Sequence, residues 1–165
     1  IGRQWQLATI QLDFNLPNRF DLSYVNEQGE KERPVVIHRA ISGSLERFMG
    51  VMIEHFAGIF PLWLAPRQAI VVPVGEKFND YAEKVLKSLK EAGVRAEWDF
   101  SSDWLNKKVR NAEQAHINYI LVVGEKEETE NSVAVRNYKT KEQTESPLNQ
   151  LVDNLKEEIE LKKLW

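Results

Sequence analysis

Cysteine is absent from this 165-residue chain, which excludes disulfides and thiolate metal ligands within it and leaves the redox compartment open. Any apolar run of membrane-spanning length is missing too, and the first residues carry no signal-peptide pattern. There is no starting methionine: Ile1-Gly2-Arg3 reads as the interior of a longer protein, so the chain is expected to be a C-terminal portion. Charge of one sign is also lacking. Lys and Arg number 22 against 25 Asp and Glu, a net of −3, so no global field draws in a polyanion and a nucleic-acid contact needs a local basic patch. Internal repeats and low-complexity segments are absent. What is present, 42% hydrophobic and 28% charged residues, is an ordinary globular balance for one domain or a domain plus part of another.

The stretch Val35 to Phe48, V-V-I-H-R-A-I-S-G-S-L-E-R-F, carries most information. The β-branched Val35, Val36 and Ile37 read as a strand. Gly43 suits a sharp turn and Ser44 a helix N-cap. Leu45, Phe48, Met52, Ile53 and Phe56 recur at helical spacing, which predicts an amphipathic helix packed on a core and stopping near Gly58 and Pro61. Arg47 then falls in the first turn beside free N–H groups, an anion-binding corner with a guanidinium able to grip phosphate; a surface ion pair with Glu46 is the alternative.

Upstream, Trp5 to Phe14 alternates as a half-buried antiparallel strand, with Thr9 and Gln11 on its polar face and Gln6 on the opposite one if alternation is strict. Asn15 to Pro34 is a polar connection in which Leu22 to Val25 and Arg33 to Ile37 are expected to pair as a hairpin around Asn-Glu-Gln-Gly-Glu. Trp63-Leu64-Ala65-Pro66 marks a boundary. Beyond it strands at 69–74, 94–98, 119–123 and 132–138 alternate with helices starting near Phe78 and Trp104, and a last helix follows Ser146-Pro147 as N-cap and first-turn proline. That order predicts a mainly parallel sheet covered by helices.

G-S-L-E-R-F, a strand-turn-helix with Gly and Arg in this order, resembles motif 3 of the class II aminoacyl-tRNA synthetases. The wider H-R-A-I-x-G-S-x-E-R-F and the later F-P-x-W-L-A-P resemble the threonyl-tRNA synthetase family, over essentially the whole chain. The resemblance implies an α/β chain. Residues 1–62 would be the end of an antiparallel-sheet catalytic domain. Residues 63–165 would be an α/β anticodon-binding domain with a mixed, mainly parallel sheet flanked by three helices. It implies ATP-dependent activation of threonine, with Mg2+, and transfer to the 3′ end of threonine tRNA. This chain would supply the motif 3 wall and the anticodon reader and be inactive alone.

Residues matching Gln6, Thr9 and Gln11 face the aminoacyl-adenylate in that family; Gly43 and Ser44 lie under it and Arg47 contacts the ATP phosphates. His38 matches one of three ligands of a zinc ion that coordinates the amino and hydroxyl groups of threonine and so rejects valine; the other two ligands would lie upstream. Read without the family, His38 is a hydrogen-bonded structural histidine. Glu127 and Arg136 match the readers of the central anticodon guanine, against a plain reading as a solvated turn and a strand-face arginine. Lys107, Lys108 and Arg110 could meet phosphates or form a solvated face, and Ser102 replaces a frequent asparagine. His55 and His116 match no family role. The expected partners are threonine tRNA, threonine, ATP and a second copy joined through the missing upstream part, with no membrane. The divergent anticodon unit and the short tail point to the mitochondrial matrix, with the cytoplasm as alternative. The rival function is a non-catalytic synthetase-like protein binding RNA or a regulatory partner.

Overall fold

The structure, a computed structural model, describes residues 2–164; the end residues 1 and 165 of the expected domain limits lie outside them. The chain divides into two compact units, Ile1–Phe56 and Ala57–Trp165. The division falls six residues before the expected 62/63 because Leu62 is fully buried in the second unit's core and its carbonyl accepts from the buried Gln68 Nε2 at 2.8 Å.

In the first unit, β1 (Thr9–Asp13) pairs antiparallel with β4 (Val36–Ala40), setting Thr9 opposite Ala40 and Gln11 opposite His38. This replaces the expected hairpin. β2 (Tyr24–Val25) pairs instead with β3 (Lys31–Glu32), because the Asn26 side chain accepts from the Gln28 and Glu30 N–H groups and Gly29 takes φ +81, closing the turn early. Pro34 then separates β3 from β4, which is left to β1. A short helix, α1 (Asn15–Arg19), occupies part of the supposed polar connection; Asp13 Oδ1 accepts from Asn15 and Leu16 N–H and starts it. At five residues it is too short to show periodicity. α2 (Leu45–Phe56) follows, with Ser44 Oγ accepting from the Arg47 N–H at 3.2 Å as an N-cap should. Its apolar stripe does not meet the expected core: none of its residues is buried, and Leu45, Met49 and Ile53 are exposed.

The second unit holds a five-stranded sheet of order β6-β5-β7-β8-β9. Its strands are β5 (Ala69–Pro73), β6 (Ala96–Trp98), β7 (Tyr119–Val123), β8 (Ser132–Asn137) and β9 (Gln143–Pro147). β5 pairs parallel with β6 and β7; β8 runs antiparallel to β7 and β9, so the sheet is mixed with four strands pointing one way. α3 (Asn79–Glu91) and α6 (Leu148–Glu160) cover one face, where Val71, Leu121, Val123 and Val133 meet Val85, Leu89, Leu151 and Leu155. α4 (Leu105–Gln114) covers the other face over Val72 and Ile120. α3 ends at Gly93 (φ +81) with Val94 N–H reaching back to the Leu89 carbonyl, a left-handed glycine stop.

β9 was not legible in the sequence: Q-T-E-S-P is polar, and it is an exposed edge strand. Because Ser146 belongs to it, the expected cap shifts by one, with Pro147 at the N-cap of α6 and no side-chain cap bond. A fourth, short helix, α5 (Glu125–Glu130), stands where solvated turns were expected. Arg95 ties the start of the unit to β6, donating to the carbonyls of Ala65 and Trp63 at 2.9 and 2.8 Å.

Candidate functional sites

Alternation along β1 and direct opposition across the β1–β4 ladder put Thr9, Gln11, Asp13, His38 and Ala40 on one face. Thr9, Gln11 and His38 line a shallow cleft of about 310 Å³ there. Gln6 joins them. The regular strand starts at Thr9, not Trp5, so strict alternation does not reach Gln6, and its Nε2 donates to Thr9 Oγ1 at 3.0 Å. Strict alternation from Trp5, which would set Gln6 on the opposite face, does not hold, because the strand is entered irregularly.

Gly43 sits at φ +63, and a Cβ built there would lie 2.8 Å from the Leu7 carbonyl oxygen, so only glycine lets the two backbones approach this closely. Arg47, one helical turn on, donates from Nη1 to the Gln6 carbonyl at 3.3 Å. The corner Gly43-Ser44-Arg47 is thus held against Gln6 and Leu7 at the start of β1. Glu46 does not take the alternative role of ion partner to Arg47 in this arrangement; it accepts from Ser44 Oγ at 2.7 Å, which lowers its carboxyl below the usual range.

His38 Nε2 lies 3.3 Å from Asp13 Oδ2. The Asp13 carboxyl is held low chiefly by the Leu16 N–H, then by the Asn15 N–H and His38, against some desolvation. Asp13 was missed as a site residue, although its i+2 spacing from Gln11 places it on the same face. A half-exposed imidazole on a cleft, with a carboxylate at one ring nitrogen, suits a single metal ligand, since carboxylate partners orient ligating histidines. Among the described residues no group of three His, Cys, Asp or Glu side chains could hold an ion, so His38 fits one ligand of a site and no more.

In the second unit, Ala134 and Arg136 share the face of β8 that looks to the α4 side. Glu127, from the first turn of α5, lines a polar cleft of about 420 Å³ with Ala134, Gln143, Thr144 and Glu145. Arg136 does not line this cleft itself; it shares its strand face with Ala134, which does, and β9 supplies the rest of the polar lining. Both expected guanine readers are already bonded. Glu127 Oε2 accepts from the Gly124 N–H at 2.9 Å, half of a capping box that starts α5. Arg136 donates from Nε and Nη2 to Glu113 Oε1, each at 2.9 Å, and Lys141 Nζ lies 3.6 Å from the same oxygen. The Arg136 hydrogen bond first, then Lys141, pulls the Glu113 carboxyl below its usual range. Glu113, 23 residues before Arg136, left no signal in the sequence. A carboxylate offers about four lone-pair sites and a guanidinium five N–H donors, so neither reader is exhausted by these bonds.

Lys126 and Glu145 close the rim at 2.5 Å, an ion pair that lowers the Glu145 carboxyl and raises the Lys126 ammonium. The three α4 cations differ. Lys107 pairs with Asp103 at 2.9 Å, while Lys108 is buried, which removes it from the expected phosphate-contacting set. His116 lies in the turn after α4 at φ +54, its Nδ1 3.4 Å from the Gly58 carbonyl, and His55 lines a cleft with Arg3, Trp5 and Glu54.

These features define a class: the margin of an antiparallel sheet with a Gly-Ser-Arg turn-helix corner, followed in the chain by a mixed α/β unit with a polar cleft. Comparison with known proteins agrees. Residues 68–158 match the anticodon binding domain family, and residues 1–56 match the tRNA synthetase class II core domain (G, H, P, S and T). The chain belongs to the anticodon binding domain family of the class II aminoacyl-tRNA synthetases. Among its relatives is the threonine–tRNA ligase of Thermus thermophilus, 59% identical over 84% of this chain and 21% of that protein. The Chloroherpeton thalassium threonine–tRNA ligase is 51% identical over 99% of the chain and 25% of its own length. The chain thus spans about a fifth to a quarter of these relatives. Among solved structures, the RNA binding domain of threonyl-tRNA synthetase from Cryptosporidium parvum superposes with a TM-score of 0.86 at 43% identity, over 94% of this chain and 40% of that one. A prolyl-tRNA synthetase from the same organism superposes at 0.72 with 26% identity, over 95% of this chain and 34% of that one.

Proposed function

We propose that this chain is part of a threonine–tRNA ligase, contributing one wall of the synthetic site and the anticodon reader. The observation that carries the reading is the gathering of Gln6, Thr9, Gln11 and His38 on one strand face beside the Gly43-Ser44-Arg47 corner, in a chain whose relatives are threonine–tRNA ligases. In the whole enzyme the threonine carboxylate attacks the α-phosphorus of ATP, forming threonyl-adenylate and releasing pyrophosphate. The 3′-terminal ribose hydroxyl of tRNA then attacks the acyl carbon and AMP leaves.

Arg47 and the uncovered N–H groups at the start of α2 neutralise the negative charge that develops on the phosphates. Mg2+ accompanies ATP as part of the substrate. Gly43 permits the close backbone approach that keeps the corner against Gln6 and Leu7. Thr9 and Gln11 offer hydrogen-bonding groups to the bound adenylate, and Gln6 positions Thr9. His38 would hold a zinc ion together with ligands from outside this chain, and such an ion, when bound, supplies a Lewis acid that selects a substrate bearing both an amino and a hydroxyl group. Asp13 would orient the His38 ring. In the second unit Glu127 accepts from the guanine Watson–Crick N–H groups and Arg136 donates to O6 and N7.

The test is threonine-dependent ATP–pyrophosphate exchange by the full-length protein. Arg47→Ala is expected to lower kcat with the fold intact. His38→Ala is expected to lower bound zinc and to weaken the preference for threonine over valine. Normal exchange by both variants would overturn the reading. Assembly as a homodimer through the rest of the protein, and a mitochondrial matrix location with the cytoplasm as alternative, belong to the same proposal. Light scattering of the full-length protein and imaging of a tagged copy decide them.

A further inference from the structure

A cavity of about 230 Å³ in the second unit shares no lining residue with the clefts described above. It opens where β7 begins and β8 ends, with Tyr119 opposite Asn137 in the ladder, and Glu158 near the end of α6 closes one side. Tyr119 packs on the α3–α6 face of the sheet, and Asn137 has the parity of Val133 and Val135 on that face, opposite to that of Arg136. The walls are held. The Tyr119 hydroxyl donates to Glu158 Oε2 at 2.7 Å. Burial first, then that bond, pushes the phenol up, so it stays a protonated donor. Asn137 Oδ1 accepts from the Lys139 and Thr140 N–H groups at 2.8 and 3.1 Å, which braces the rim. The Tyr138 ring is flanked by Lys141 Nζ, 4.0 Å from its centroid, and by the His116 ring at 5.4 Å.

Asn118 lines the cavity and is only 4% exposed. Its Nδ2 donates to the Phe60 carbonyl at 2.9 Å, which fixes the amide orientation, since a carbonyl can only accept. Oδ1 then has no donor among the described residues. A buried acceptor left so is a cost to the fold that a bound N–H donor removes. A second acceptor is Glu158, whose carboxylate has lone pairs beyond the one given to Tyr119. Two acceptors beside two tyrosine rings suit a flat ligand that carries N–H donors. Size restricts it to one or two rings, because sites for drug-sized ligands run to about 300–1,000 Å³. Charge restricts it as well. Lys139 and Lys163 stand in the lining with only the carboxylate of Glu158, so a cationic ligand would meet two ammonium groups, and a neutral one avoids the mismatch.

We propose that this cavity binds a neutral, planar, amino-substituted heterocycle of one or two rings, the chemical class of the free amino-bearing nucleobases, with its amino N–H on Asn118 Oδ1 and its ring against Tyr119 and Tyr138. The proposal does not depend on the RNA-binding reading. It is tested by saturation-transfer NMR titration of the full-length protein with adenine, beside purine, which has the same rings without the amino group. A non-hydrolysable threonyl-adenylate analogue is kept saturating, so that adenine has no access to the synthetic site. Adenine is expected to bind with a Kd of about 1 mM or tighter, the affinity that ordinary ligand efficiency gives about ten heavy atoms. Purine is expected to bind about 5- to 150-fold more weakly, the range for a buried acceptor left unpaired. Asn118→Ala is expected to erase the difference between the two. Because Asn118 also holds the Phe60 carbonyl, melting is followed for each variant, and Tyr138→Ala, at the half-buried rim, decides the matter if Asn118→Ala does not fold. Tyr138→Ala is expected to weaken both ligands about 2- to 12-fold, the range for loss of one aromatic pair. Equal binding of adenine and purine by the unmodified protein, or no saturable binding of either, would overturn the site, as would unchanged adenine binding in Tyr138→Ala. Displacement of adenine by threonine tRNA would give the cavity to an RNA base, and the free ligand would be refuted.

Discussion

Glu127 is asked to do two things, and the structure allows them to be separated. Its carboxylate accepts the Gly124 N–H at 2.9 Å, starting a helix only six residues long, and it lines the cleft in which a guanine would be read. Glu127→Ala removes both functions. Losing one part-buried hydrogen bond at a helix start costs about 1 kcal/mol, the middle of the range for a lost cap. For a unit of this size that lowers Tm by about 4–8 °C. Glu127→Gln differs. Glutamine at the third helical position can still accept the N-cap N–H, so melting should match the unmodified chain. Its amide offers guanine one acceptor and one misplaced donor, so discrimination of the central base should fall by about 1–3 kcal/mol. Thermal melting followed by circular dichroism, beside equilibrium tRNA binding with the central guanine intact or replaced, reads both quantities. Unchanged melting of Glu127→Ala would show that the cap contributes nothing. Full discrimination by Glu127→Gln would show that the carboxylate is not the reader.

Gly43→Ala must place a Cβ 2.8 Å from the Leu7 carbonyl at φ +63, costing about 1–2 kcal/mol in backbone strain before any shift. Moving that corner displaces Arg47 from Gln6, so the full-length protein should lose about 10- to 100-fold in ATP–pyrophosphate exchange. The Arg136 hydrogen bond holds the Glu113 carboxyl below its usual range in the folded chain, so its contribution to stability is complete above the unfolded value and is lost as pH falls through the folded one. Urea midpoints measured from neutral to about pH 3 should therefore drop less steeply in Glu113→Gln than in the unmodified chain. Gln68 is fully buried, donating to the Leu62 carbonyl and accepting the Arg95 N–H at 2.7 Å. Gln68→Leu strands both groups and should destabilise the second unit by about 2–4 kcal/mol in urea unfolding.

Local chemistry was legible in the chain itself. Ser44 caps α2 as its hydroxyl and position require, Gly43 takes the positive φ of a sharp turn, and the apolar runs at 69–73 and 119–123 are two of the three inner strands. Each follows from short-range sterics or from burial on both faces, which periodicity and β-branching report directly. Pairing was not legible. β4 chose β1 over β2 because a turn at Asn26 closed early, and the polar β9 became a strand only because β8 offered an open edge. Strand partnership depends on which free N–H and C=O groups lie nearby, and no single segment encodes its neighbours.

The sites divide in the same way. The family resemblance singled out Gln6, Thr9, Gln11, His38, Arg47, Glu127 and Arg136; residue type and spacing by themselves left plainer structural readings open for several of them. Tertiary structure decided what each one touches: Gln6 joins Thr9 because the regular strand begins late, Asp13 reaches His38 across a ladder, and Glu113 holds Arg136 from another element. It also buried Lys108 and left Phe100 and Trp104 in water. Side-chain chemistry is carried by the chain, but distance, burial and electrostatic coupling exist only once segments far apart in sequence have been brought together.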